Sequence, residues 1–189
     1  GIYVLPNLFT TSSLFCAFYA IVQAMAGHFD IASIAIFFSM IFDGCDGRVA
    51  RLTHTQSEFG VQYDSIADMT AFGVAPALVI YQFALSGLGK IGWAAAFIYC
   101  LGAGLRLARF NIKTEEVHGY FEGLPIPAAG CLAATYVLSG VEVPQFVLVV
   151  CMIGVGFLMV SEVKYPDFKG KTAIYINCLL YKSDAADEL

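Results

Sequence analysis

Residues 31–68 read IASIAIFFSMIFDGCDGRVARLTHTQSEFGVQYDSIAD. An apolar run from Ile34 to Phe42 enters Asp43 and Asp46 without a break, and Asp64 and Asp68 lead as directly into a second apolar run, Met69 to Ile80. A helix needs about 20 mainly apolar residues to cross a hydrocarbon core roughly 30 Å thick, so both aspartate pairs fall inside spans. For the acidic residues to be solvated in a loop instead, both flanking runs would have to stop short of the membrane. A charged aspartate at mid-membrane costs at least ~2.5 to 3.5 kcal/mol, and four together require compensation. Asp43 and Asp46 are three apart and Asp64 and Asp68 four apart, which puts each pair on one helical face. Only a short segment, about Leu52 to Glu58, connects the two spans, so they are expected to be antiparallel neighbours whose acidic faces meet. Carboxylates converging without lysine partners repel, and hard divalent cations relieve that repulsion; an oxygen ligand set suits magnesium, manganese or calcium.

The rest of the chain agrees with a membrane setting. Of 189 residues, 59% are hydrophobic and 13% charged, which is far from the composition of a soluble domain. The same length ruler predicts six spans: Asn7 to Ala26, Ile31 to Arg51, Phe59 to Leu85, Ile91 to Phe110, Pro125 to Ser139 and Pro144 to Val160. Gly27-His28, 86–89 and Ser139-Gly140 are short turns on one side, and the longer polar connections lie on the other. With six spans, Arg48, Arg51, Arg106, Arg109, Lys113, Lys164, Lys169, Lys171 and Lys182 share one face and only Lys90 lies opposite, so both termini are expected to be cytoplasmic. The chain opens on Gly1, which suggests a trimmed start; the apolar stretch after Asn7 is too long for a signal-peptide core and reads as a retained span. Residues 1–171 are expected to form one membrane domain, an all-α bundle of about six transmembrane helices with a cytoplasm-facing polar cavity. Residues 172–189 read as a short C-terminal tail, an apolar stretch from Thr172 to Leu180 too short to span comfortably and then an acidic end, Asp184 to Leu189, that reads as disordered or as a truncation remnant.

Other features carry bland readings. Cys16, Cys45, Cys100, Cys131, Cys151 and Cys178 are scattered singly, with no metal-ligand spacing, and are expected to be small buried hydrophobes. A net charge of -5 argues against a nucleic-acid partner. His28, Asp30, His54 and His118 read as solvated loop residues, and Trp93 as an interfacial anchor. Gly102, Gly104, Gly154 and Gly156 are expected to permit close helix packing.

Between and beside the aspartates the small residues sharpen the picture. Gly47 and Gly60 permit a substrate or backbone to approach closely, Ala50 is small for the same reason, and Arg51 can bind a phosphate bidentately. Written out, the stretch is DxxDGxxAR, eight residues, then GxxxDxxxD, from Asp43 to Asp68. It resembles the signature of the CDP-alcohol phosphatidyltransferases at every fixed position. The opening Leu5-Pro6-Asn7-Leu8-Phe9-Thr10, the run from Gly104 to Asn111 and the run from Phe121 to Ala129 resemble the bacterial phosphatidylserine synthase branch.

The resemblance implies that Asp43, Asp46, Asp64 and Asp68 surround two divalent metals, Mg2+ or Mn2+, that Asp68 is also the catalytic base, and that the substrates are CDP-diacylglycerol and L-serine. It implies a homodimer in the cytoplasmic membrane with its active site facing the cytoplasm. Asn7, Thr10, Gly47, Ala50, Arg51 and Gly60 are the expected CDP-diacylglycerol contacts, although Thr10 could equally only cap or pack. Arg106, Arg109 and Asn111 are candidates for the acceptor: the two arginines are three apart at one end of a span and a carboxylate-bearing alcohol needs such a partner. Ordinary positive-inside anchoring is the competing explanation for them. Three rivals remain open at this level: the same chemistry on glycerol phosphate, inositol phosphate or choline, a divalent-cation transporter, and a structural scaffold indifferent to the aspartates.

Overall fold

The computed structural model of the chain describes residues 4–52, 58–113, 120–122, 124–161 and 164–166. Six helical rods run through them. The first two are α1, Val4–Met25, and α2, Phe29–Leu52. The third is composite: α3, Glu58–Asp68, continues through a π-helical turn, Met69–Val74, into α4, Ala75–Ile80, and ends in a second π stretch, Tyr81–Leu85, and a 3-10 turn, Ser86–Leu88. Then come α5, Lys90–Lys113, α6, Ile126–Ser139, and α7, Gln145–Val160. This is the all-α membrane architecture expected from the sequence. Asn7–Met25, Phe59–Leu88 and Lys90–Asn111 are long and apolar enough to cross a bilayer. At 24 residues α2 is long enough too, but the charged residues of its last turns interrupt the apolar run. α6 and α7 are shorter, at 14 and 16 residues.

Cross-links between rods show how they alternate. Thr10 near the start of α1 bonds Asp46 near the end of α2, Ser65 in the first part of the third rod bonds Asn111 at the end of α5, and Arg109 of α5 bonds the carbonyl of Val160 at the end of α7. All of these lie at the carboxylate end. At the opposite end Gln145 of α7 donates to the Ala84 carbonyl of the third rod. The tight turns are at that opposite end, as expected: Gly27, Gly89 and Gly140 all have positive φ. Gly140 shows why: its left-handed φ of 62° closes α6 while its N–H bonds the Val137 carbonyl, a conformation a Cβ would oppose.

Small residues let the rods approach. Ala17, Ala20 and Ala24 of α1 and Ala32 and Ala35 of α2 are buried, and α1 and α2 pack together more extensively than any other pair. Inside that interface the Ser13 and Ser39 hydroxyls lie 2.8 Å apart and each donates to the other residue's carbonyl. Such polar bonds join helices where lipid removes the usual hydrophobic drive. Large side chains point outward instead: Phe15, Phe18, Phe97 and Phe157 are exposed, facing the hydrocarbon that is their solvent.

Some expectations are corrected. Among the described residues the cysteines are not fully buried: Cys16, Cys45, Cys100 and Cys131 are half-buried, Cys100 against the core, and Cys151 is exposed, because an apolar thiol facing lipid gains little from burial. Gly102 and Gly156 do permit close packing, since a Cβ on Gly102 would run into the Gly156 carbonyl and one on Gly156 would lie 2.9 Å from the Ile98 oxygen. A Cβ on Gly104 would make only ordinary contact with the Met69 side chain, and one on Gly154 would face open space. The sequence reading did not anticipate the π segments or a pair of three-residue strands, β1, Tyr120–Glu122, and β2, Lys164–Pro166. They pair antiparallel, Phe121 opposite Tyr165. His54, His118, Cys178 and the tail 172–189 lie outside the described residues.

The two glycines of α7 make opposite predictions. Gly156→Ala is expected to cost about 1 to 3 kcal/mol by wedging α5 from α7. Gly154→Ala should be neutral, or stabilising by up to about 1 kcal/mol through helix propensity. Thermal denaturation of both variants in one detergent checks this, and equal effects would contradict the packing described.

Candidate active site and metal centre

The carboxylates meet. Asp43 from α2 and Asp64 and Asp68 from α3 each offer an oxygen, and these oxygens all lie within 4.8 Å of one another. Asp43 is within hydrogen-bonding reach of Asp68, and Asp46 of Asp64. α2 meets the third rod along the π turn and α4, beyond Asp68, and α3 itself packs on α1.

Asp46 is buried beside that group of three. Its Oδ2 accepts a hydrogen bond from Thr10 Oγ1 at 2.8 Å, which anchors the carboxylate to α1. In a neighbouring link the Tyr63 hydroxyl of α3 donates to Thr11 Oγ1, 3.0 Å away, while the Thr11 hydroxyl itself donates to the Asn7 carbonyl. α1 thus braces both acidic helices, and Asn7 lies one turn before these contacts.

Two oxygens in the cluster, Oδ1 of Asp64 and Oδ1 of Asp68, are buried without a hydrogen-bond partner. A buried carboxylate oxygen left bare is expensive, and two of them converging with Asp43 suit a hard divalent cation that prefers oxygen ligands. The residues present therefore fit the metal that the sequence pattern implies.

The remaining candidates surround this cluster unevenly. Gly60 lies on α3 one turn before Asp64, half-buried. Gly47, Ala50 and Arg51 are on the last turns of α2 beyond Asp46, and their surroundings lie outside the described residues. Asn111 is brought to the acidic helix, where its Nδ2 donates to Ser65 Oγ at 3.2 Å, directly beside Asp64. Arg106 is half-buried one turn earlier on α5. Arg109 Nη1 donates to the Val160 carbonyl at 3.2 Å, satisfying an acceptor that the end of α7 leaves open. The sequence reading missed Ser65, Thr11 and Tyr63. All three are ordinary helical residues whose partners lie 46 or 52 positions away, and local pattern carries no signal for such pairs.

A multi-span helical bundle with a partly buried acidic cluster at one end defines a class: helical membrane proteins with a carboxylate group suited to a divalent cation. The chain belongs to the CDP-alcohol phosphatidyltransferase family, which matches residues 3–161 and so takes in all six rods and all four aspartates. The family is generally dependent on divalent cations. Among its relatives, a Helicobacter pylori protein named CDP-diacylglycerol–serine O-phosphatidyltransferase is 43% identical over 177 residues, 89% of this chain and 74% of that protein. Proteins of the same name from Bacillus subtilis and Methanocaldococcus jannaschii are 36% and 42% identical. They share 170 and 143 residues, which cover 89% and 75% of this chain and 93% and 66% of those proteins.

The Thr10 bond yields a prediction. Thr10→Val keeps the shape and removes the donor, and is expected to raise the Mn2+ concentration for half-saturation about tenfold or more, as loss of an outer partner of a ligand does. Thr10→Ser should stay near wild type. Loss of the free Mn2+ paramagnetic resonance signal on binding to purified protein measures both.

Proposed function

We propose that this protein transfers the phosphatidyl group of CDP-diacylglycerol to L-serine, giving phosphatidylserine and CMP. The observation that carries the proposal is the meeting of Asp43, Asp64 and Asp68 with two bare buried oxygens, in a chain whose relatives from three distant organisms are all named for that reaction. Asp43, Asp46, Asp64 and Asp68 would hold two divalent cations, magnesium or manganese. When bound, such ions neutralise the pyrophosphate and the charge that develops on the departing nucleotide.

The chain's own residues do the rest. Gly47, Ala50 and Gly60 leave room for the pyrophosphate, Arg51 binds a phosphate oxygen, and Asn7 and Thr10 flank the nucleotide from α1. The side chain of Asp68 takes the proton of the serine hydroxyl, which is a poor nucleophile until that proton is gone. The serine oxygen then forms a bond to the phosphorus carrying diacylglycerol, and the bond from that phosphorus to the CMP oxygen breaks, the electron pair leaving with CMP. No covalent enzyme intermediate is required. Phosphoryl transfer of this kind depends on positioning and charge stabilisation, which is what clamped helices supply.

For the acceptor, Arg106 is assigned the serine carboxylate, with Asn111 beside it, while Arg109 contributes more to holding α5 against α7. The excess of arginine and lysine at the carboxylate end supports a cytoplasmic-membrane protein whose termini and site face the cytoplasm, and the family resemblance supports a homodimer.

Incubating the purified protein with CDP-diacylglycerol and, in turn, serine, glycerol phosphate, inositol phosphate or choline tests the reading. CMP should appear with serine alone and disappear on chelation with EDTA; release with another alcohol and not serine would overturn the acceptor assignment. Asp68→Asn should lower kcat by about 10²- to 10⁴-fold with little change in KM for the liponucleotide. Arg106→Ala is expected to raise the serine KM at least about tenfold, the loss of one charge-assisted hydrogen bond. Arg109→Ala should instead lower thermal stability, and an unchanged serine KM in Arg106→Ala would return that residue to simple anchoring.

A further inference from the structure

The third rod leaves regular α-helix immediately after Asp68. Residues Met69–Val74 are wound as a π-helix, and Ala75 bonds the Thr70 carbonyl, five residues back. The sequence contains a cause: Pro76 has no N–H, so the donor that an α-helix would offer the Phe72 carbonyl four residues on is missing. In hydrocarbon, a proline in a helix is tolerated only where π adjustment or a neighbouring helix answers the freed groups. Both occur here. The Tyr99 hydroxyl, from the middle of α5, donates to the Phe72 carbonyl at 3.1 Å, and Tyr99, Phe72 and Pro76 are all buried.

Phe72 is one turn beyond Asp68 and two beyond Asp64, so its placement sets where the acidic face of α3 points. The neighbourhood allows it little freedom. A Cβ on Gly130 of α6 would lie 3.0 Å from the Phe72 ring, and one on Gly73 would lie 3.1 Å from the Ala103 Cβ of α5. Phe72 is therefore packed against α6 while its carbonyl is held from α5. We infer that the Tyr99 hydroxyl is a positioning group for the metal centre: by holding the Phe72 carbonyl at the Pro76 break, it fixes the winding that turns Asp64 and Asp68 toward Asp43. Tyr99 itself is not among the cluster residues and acts only through the backbone.

The inference rests on the metal-centre reading above, and its test separates the two. Mn2+ binding to the purified protein, read by paramagnetic resonance without substrates, is compared for wild type, Asp68→Asn and Tyr99→Phe, alongside thermal denaturation and steady-state kinetics. Tyr99→Phe is expected to weaken Mn2+ about tenfold, the low end of what loss of an outer partner costs a metal site, and to lower kcat while KM for both substrates stays within about twofold. Unchanged Mn2+ affinity and kcat in Tyr99→Phe, with only a lower melting temperature, would overturn the inference. Should Tyr99→Phe not fold, Gly130→Ala displaces Phe72 from the other side with the hydroxyl intact; weakened Mn2+ binding then supports positioning through Phe72, and unchanged binding overturns it. Absence of Mn2+ binding in wild type, or no effect of Asp68→Asn, would instead sink the metal-centre reading itself.

Discussion

Like charges brought together in a poorly polarisable medium repel strongly, and the carboxylates of Asp43, Asp46, Asp64 and Asp68 are brought together at one end of a membrane bundle. Much of the surrounding structure can be understood as what holds them there. α1 ties down Asp46 through Thr10 and reaches α3 through Thr11 and Tyr63. α5 is joined to α3 beside Asp64 through Asn111 and to α7 through Arg109. The cluster is a clamped arrangement with unsatisfied oxygens, and the clamps come from helices that carry none of the aspartates. Preorganisation of this sort favours a cation site, because the repulsion is built in before the ion arrives and is relieved when it does.

Much of this was legible in the sequence. Apolar run lengths gave six rods close to those observed, and the Asp43 to Asp68 spacing placed two acidic faces opposite each other. Both signals are local or nearly so: helix period and a short connection suffice. What was not legible depends on distance along the chain. Thr10 could be singled out by its position but not given Asp46 as its partner, and Arg106 and Arg109 looked equivalent until the Val160 carbonyl distinguished them. The π turn after Asp68 was signalled only by Pro76, and a proline alone does not say whether a helix will kink, rewind or be rescued by a neighbour. The short strands Tyr120–Glu122 and Lys164–Pro166 had too few residues to show an alternating pattern, and their pairing spans two helices.

The glycines divide along the same line. Composition marks Gly102, Gly104, Gly154 and Gly156 alike as sites where helices could approach. Only the fold distinguishes Gly102 and Gly156, where backbone meets backbone, from Gly154, which borders open space. Small residues in a membrane helix are thus a permission that tertiary structure uses selectively.

The paired serines between the first two rods bear on biogenesis. Ser13 and Ser39 satisfy each other without help from any later segment, and the alanines around them close the same seam. A hairpin of α1 and α2 therefore carries its own polar glue as it leaves the ribosome and can settle in the bilayer as a unit. In the folded chain the same pair of helices holds Thr10 beside Asp46, so two of the four aspartates and one of their braces lie within the first hairpin to be synthesised.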